Sequence, residues 1–390
     1  MAKFEYSEYV KLWKSNEGRL ILSTILTNPD LIKANHMFWK LKFRVDPQLT
    51  PTDAQGRSTF ISEMREPVQG ALMSMRAPMS HNAPEERGAL KYYTGTIPSF
   101  SPKQFVENAS ERMYKEELFE QFGDAVLIAE YATNVLQPKI DSANQTLSHM
   151  AAQLLSTGKI IVNFGEGIKG NVLKADIPAE NFLGAGSAVW TDTSFPLLSH
   201  LRDQVEKLNA KYGEMAWQLE ITRNKFNNTF MKNTEVINWV KLQYSVKNGL
   251  MSTSDIPEAV VTSDSIVEAV AKFPYCPAIV IIDEKQNDVN LGTVSGWTEK
   301  YAVLRPVGYA GYIRHSKVIE KSVYDKYGSK NIIRAYSYAV DNLLMIINSD
   351  LDNGELREWH TEAIMNAIPS LDEFLYHYII DTTDAVTPAL

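Results

Sequence analysis

The chain has 390 residues, 44% of them apolar and 22% charged, with a net charge of −8; these are the proportions of a folded protein large enough for two domains. The single cysteine, Cys276, excludes an internal disulfide framework and suits a reducing compartment, and no apolar run reaches the roughly 18 residues of a membrane span. Charge is uneven: residues 1–50 carry eight Lys/Arg against five Asp/Glu, and residues 341–390 carry ten acids against Arg357 alone. No basic face dominates of the kind a sequence-independent nucleic-acid binder needs to displace counterions.

The first residues, MAKFEYSEYVKLWKSNEGRL, lack the apolar segment of a signal peptide, so none is expected and the chain is expected to stay in the cytoplasm where it is made. Residues 1–50 resemble a leader arm with short helices at 9–13 and 20–26 and a break at Asn28-Pro29-Asp30. Next, residues 68–76 and 87–97 have strand-like composition and flank a polar middle with Pro78, Ser80, Asn82 and Pro84. Proline cannot donate to a sheet ladder, so the two prolines mark the tip of an extended hairpin. Nine or so residues per arm span about 30 Å. An isolated ribbon of two strands is marginal in water, so it must lie on the protein's own core or on a neighbouring copy. Four of the thirteen methionines (Met64, Met73, Met75, Met79) sit here, and flexible thioethers suit an adaptable contact surface. The expected inter-subunit contacts are Met73, Met75, Arg76, Met79, Arg87 and Tyr92.

Residues 103–123 read as a charged helix closing on Gly123. A stronger helix follows, with apolar residues at Leu136, Ile140, Ala143, Leu147, Met150 and Leu154, Pro138 in the first turn or at a kink, and Gly158 as its stop. Residues 159–164 and 171–176 read as strands across a Gly-rich turn. A helix opened by a Ser194 cap and Pro196 then ends at Gly213. A strand at 216–222, helices at 223–232, 234–244 and 264–273, and strands at 278–282, 301–305, 332–347 and 374–382 complete the chain. Strands and helices mix without regular alternation, so the fold class expected is α+β.

Catalytic signals are weak. Gly165, Gly167 and Gly170 fit the spacing of a dinucleotide fingerprint after a strand, but the continuation alternates like a strand and meets Pro178, which favours a hairpin turn. Asp283-Glu284 after an apolar strand reads as a strand-end turn in the absence of a phosphate loop. The seven histidines and Cys276 show no metal-ligand spacing. No cofactor, metal or catalytic residue is expected.

Three stretches, in this order, carry a resemblance. MRAPMSHNAPEERGAL with the later TGTIPSFSPKQFV is similar to an extended loop and its return. The long helix closing on LLSTGKIIV is similar to a spine helix entering a strand. AIVIIDEKQNDVNLG followed by YAVLRPVGYAGYI, with Pro306, Gly308 and Gly311, is similar to a late strand and turn. Together they resemble the major capsid proteins of tailed bacteriophages, in the group related to the lambda major head protein, which shares the Hong Kong 97 fold. The resemblance covers the chain from about residue 55 and implies four parts: an N-terminal arm (1–50), an extended loop (51–100), a peripheral domain (101–192 with 331–390) and an inserted axial domain (193–330). It implies hexamers and pentamers in an icosahedral shell, built in the bacterial cytoplasm around double-stranded DNA that is enclosed rather than gripped, with separate scaffolding and portal proteins and decoration proteins as further partners. Some members crosslink through Lys-to-Asn bonds; Lys91 lies in the arm, but no motif supports a crosslink and none is expected. The alternatives are an encapsulin-like nanocompartment shell and a soluble enzyme holding a nucleotide at the Gly165 turn.

Overall fold

The structure is a computed structural model that describes residues 37–53, 57–65, 89–102, 105–106, 132–163, 169–248, 260–288, 292–318, 333–352 and 357–384, with a few single residues between them. The readings at 9–13, 20–26 and 68–76 fall outside the described residues. α1 (Phe38–Lys42) is a short helix that runs directly into β1 (Phe43–Val45). β2 (Ser58–Arg65) and β3 (Leu90–Ile97) pair antiparallel, from Ser58 opposite Ile97 to Arg65 opposite Leu90. The strand partner of 90–97 is therefore 58–65, earlier in the chain than the expected arm. β4 (Phe105–Val106) is a strand at the start of the expected 103–123 helix, while the described Met113, Tyr114, Glu117 and Gln121 of that range are helical.

α2 (Gln137–Thr157) is the predicted long helix, entered through a π turn at Ala132–Leu136. Pro138 occupies its first turn, where the missing N–H costs no helical bond. Gly158 stops it in the left-handed region (φ 70°), its N–H donating to Leu154 O at 2.8 Å. The whole predicted stripe from Leu136 to Leu154 is buried. β5 (Lys159–Asn163) and β6 (Lys169–Lys174) then pair antiparallel. β6, which contains Gly170, lies where a dinucleotide motif would need a helix to begin.

β7 (Phe182–Leu183) leads to α3 (Leu197–Tyr212), β8 (Trp217–Thr222), α4 (Arg223–Asn228), α5 (Thr234–Asn248), α6 (Ser263–Val270) and β9 (Ala278–Ile282). Ser194 does not cap α3. Its N–H and hydroxyl both donate to Asp192, and the first α3 amides, Leu198 and Ser199, donate instead to Glu235 of α5 at 2.7 and 3.3 Å. A carboxylate at a helix N-terminus is favoured by the helix dipole, and this one arrives from another helix.

The last elements are β10 (Gln286–Asp288), β11 (Gly292–Val294), β12 (Tyr301–Pro306), β13 (Gly311–His315), β14 (Ile333–Ala339), β15 (Leu344–Asp352), β16 (Arg357–Met365), β17 (Ala367–Leu371) and β18 (Tyr378–Asp381). The single strand expected over 332–347 is a hairpin. It reverses through Val340, Asp341 and Asn342, all at positive φ, a conformation that Asp and Asn tolerate better than most residues.

β7-β18-β12-β8-β9 form a mixed five-stranded sheet, β14-β15-β16-β4 an antiparallel sheet, and β1-β13-β17 a third. The class is α+β, as expected. Two cores flank the five-stranded sheet. One is built on α2 and includes Val303 and Ile379; the other is built on α3, α5 and α6 and includes Ala302, Leu304, Tyr378 and Ile380. Successive residues of a strand point to opposite faces, so β12 and β18 serve both cores at once. Among the described residues no helix is long and apolar enough to cross a membrane.

Candidate assembly surface

The ribbon β2–β3 has two unlike faces. Ser58, Phe60 and Ser62 of β2 and Tyr93 and Ile97 of β3 are buried. Gly95 lies between them, where a Cβ would meet Phe60 and Leu173 at 2.5 Å, so the glycine lets the ribbon seat closely on β6. Tyr93 packs edge-to-face on Phe374 with ring centroids 5.3 Å apart, and its hydroxyl donates to Leu371 O at 2.7 Å. The Ser62 hydroxyl lies 2.9 Å from the same carbonyl and 3.0 Å from Asp372 Oδ1. Burial pushes the Tyr93 phenol well above its ordinary range, so it remains a donor. Beneath it Arg314 bridges Asp46 at 2.5 Å and Asp372 at 3.0 Å, joining the chain before the ribbon to the strand end on which the ribbon rests.

The opposite face carries Ile61 and Tyr92, both 60% exposed, and Leu90, 46% exposed. Tyr92 stands opposite Glu63, Ile61 opposite Thr94 and Leu90 opposite Arg65, so all three apolar side chains share one face. Covering what remains exposed of each is worth about 1–2 kcal/mol, roughly half of the 1.5–3 kcal/mol for complete burial of a large apolar side chain. Of the contact residues expected from sequence, Tyr92 stands on this face. Met73, Met75, Arg76, Met79 and Arg87 lie outside the described residues. Ile61 and Leu90, which the sequence reading did not include, stand on the exposed face too.

A second polar constellation ties α1 to the five-stranded sheet. Glu220 Oε1 accepts from Lys42 at 2.6 Å, from Gln218 at 2.8 Å and from two nitrogens of Arg305 at 2.8 and 3.1 Å. All four residues are buried. Burial alone would raise the Glu220 carboxyl, but Arg305 and Lys42 outweigh it and hold the group below its usual range. The remaining Arg305 nitrogen donates to the carbonyls of Pro306 and Gly308, which fixes the turn singled out in the sequence. Nearby, burial pulls His377 down to about 4, and its Nε2 lies 2.7 Å from Leu155 O at the end of α2.

The other chemical candidates are accounted for locally. Asp283 pairs with Arg223 at 2.5 Å, and the buried Glu284 accepts from Ser295 and from the Gly296 N–H, both at 2.9 Å; the acidic pair is a strand end. Burial pushes the Cys276 thiol up to about 12, far from a thiolate at neutral pH. Among the described residues no three metal-ligating side chains converge.

No family model and no curated protein matches the chain. Among solved structures, the chain is similar to one from Escherichia coli CFT073 named as a prophage capsid protein, with 11% identity and a TM-score of 0.49 over 93% of this chain and 98% of that one. It is also similar to a phage-related protein of Bordetella bronchiseptica RB50, with 14% identity and a TM-score of 0.46 over 95% and 98% of the two chains. The capsid of Ralstonia phage GP4 is similar at 11% identity and a TM-score of 0.41, over 91% of this chain and 93% of that one. Each of these similarities runs over nearly the whole length of both chains.

Proposed function

We propose that this chain is the major capsid protein of a tailed bacteriophage, a structural protein that assembles through its own copies into hexamers and pentamers of a closed shell around double-stranded DNA. The observation that carries this reading is the two-faced ribbon. One face is locked onto the body by Tyr93, Ser62 and Gly95, while the other holds Ile61, Leu90 and Tyr92 out in water. Apolar side chains exposed together on one face of a ribbon mark an interaction surface, and a second copy supplies the cover. Heterologous contacts of this kind close into rings and shells when their rotation closes. The family resemblance of the sequence supports the same reading. The four parts read from the sequence belong to this proposal too, with one qualification: β7 and β18 come from the peripheral ranges, yet they pair in the five-stranded sheet, so the two proposed domains share one sheet. The acidic balance of the chain suits a lumen that encloses DNA without holding it.

Negative-stain microscopy and light scattering of the purified chain test the proposal. Closed particles are expected from the wild type, and DNA protected from nuclease in particles from infected cells separates a capsid from a cargo compartment. Deleting residues 70–87 is expected to leave a folded, soluble subunit that closes no shell. Full assembly by that deletion would refute the role of the arm.

A further inference from the structure

Lys225, Lys232 and Lys300 line one open, polar cavity of about 430 Å³, together with Asn224 and Glu299. Most of these groups are already engaged. Lys232 donates to Asn228 at 3.0 Å, Lys300 to Asp381 at 2.8 Å, and the Asn224 amide lies 3.1 Å from both oxygens of Glu299. Lys225 is different. Among the described residues its ammonium has no hydrogen-bond or ion-pair partner, although it is half-buried and the carboxylates of Asp381 and Glu299 act on it through space. Burial lowers its pKa, and those two acids oppose the shift.

A lysine offers three N–H donors, and those of Lys225 face the open cavity rather than a protein acceptor. The lining holds three cations against the one carboxylate of Glu299, an excess of two charges on a chain whose net charge is −8. Counting Asp381, which lies behind Lys300, one positive charge remains in excess. A concave site where three lysines converge, one of them without a protein partner, and one positive charge remains in excess suits a compact anion. An extended polyanion such as a nucleic-acid strand is disfavoured, because Glu299 and Asp381 would repel its continuing phosphates.

We propose that this cavity binds a single oxyanion, a carboxylate or a phosphate, with Lys225 as its principal ligand and Lys232 and Lys300 on either side. The anion is either free in solution or a carboxylate presented by a second copy of the chain; only the second source rests on the assembly reading above.

Competitive acetylation of the full chain, read lysine by lysine by mass spectrometry, tests the site. In dissociated subunits, inorganic phosphate or citrate is expected to slow acetylation of Lys225 about tenfold or more, the protection of an amine engaged in a charge-assisted bond. Protection that requires added anion identifies a free ligand. Protection in closed particles without added anion, lost on dissociation, identifies a neighbour's carboxylate. In calorimetry, Lys225→Met is expected to weaken phosphate binding about tenfold, while Lys207→Met, an exposed control, leaves it unchanged. Lys225 equally reactive in every condition, or equal phosphate affinity in all three chains, overturns the proposal. A chain that forms no particles removes the second-copy source and the assembly reading, and the phosphate arm still decides the site.

Discussion

The second core and the ribbon are built from the same residue types and end in opposite states. Around the five-stranded sheet, Leu219, Ile221, Leu304 and Ile380 are covered by α3, α5 and α6, and the charged residues among them are paired. On the ribbon, Phe60 and Tyr93 are covered while Ile61 and Tyr92, one residue away on each strand, are 60% exposed. The first region gains its free energy within one chain. The second leaves part of its apolar surface exposed on the single chain. Stability and assembly are therefore expected to answer to different residues.

The largest expected effect lies in the buried ion cluster. Glu220→Gln leaves Lys42 and Arg305 buried without their counter-charge, a loss of about 3–5 kcal/mol for breaking such a group from one side. Urea denaturation of the dissociated subunit reads it. A loss below about 1 kcal/mol, the scale of an exposed pair, would show that the cluster is open to water and the contrast between the regions overdrawn.

Next comes pH. His377 titrates near 6.5 in the unfolded chain and at about 4 in the folded one. The unfolded state thus binds the proton first, so the stability held at neutral pH falls as pH drops from 6.5 towards 4 and changes no further below that. The shift corresponds to about 3 kcal/mol. His377→Gln keeps a donor for Leu155 O and is expected to flatten the pH dependence over this window. An unchanged slope would place the acid sensitivity elsewhere.

The sequence made α2 fully legible, because one long helix writes its own period, its Pro138 start and its Gly158 stop into consecutive residues. The non-alternating order of elements was legible as well, and with it the α+β class. What was hidden depends on residues distant in the chain. Glu235 caps α3 from 36 to 37 positions away, so the local candidate Ser194 drew the reading. Glu220 meets Lys42 across 178 positions, and no spacing rule connects them. At the ribbon, composition indicated a hairpin and gave β3 nearly in place, but the pairing of 58–65 with 90–97 follows from a register that only the folded backbone fixes. The turn inside 332–347 was missed because Asp341-Asn342 is flanked by apolar residues on both sides and reads as a brief interruption of one strand.

Gly95→Val probes where the two regions meet. Its added atoms collide with Phe60 and Leu173, and overpacking of this kind costs about 1–3 kcal/mol. Because the damage is at the seat of the ribbon, assembly is expected to fail at concentrations where the subunit is still folded by circular dichroism. A variant that assembles normally despite the measured destabilisation would mean that the seat and the outer contact are independent.

The smallest expected change in stability is the most discriminating. Ile61→Asp and Tyr92→Asp together alter two exposed side chains, and exposed substitutions away from special features shift stability by about 0.5 kcal/mol or less. Tyr92 stands opposite Glu63, so part of that shift is repulsion between the introduced carboxylate and its cross-strand neighbour. If the outer face is where a second copy lies, the same pair places two carboxylates in an apolar contact, each costly to desolvate without a partner, and shells should not close. The single chain would barely register the change while the assembly would lose it entirely. Closed particles from this double variant, formed at the wild-type concentration threshold, would remove the ribbon's outer face from the interface and leave Ile61 and Tyr92 as ordinary exposed residues.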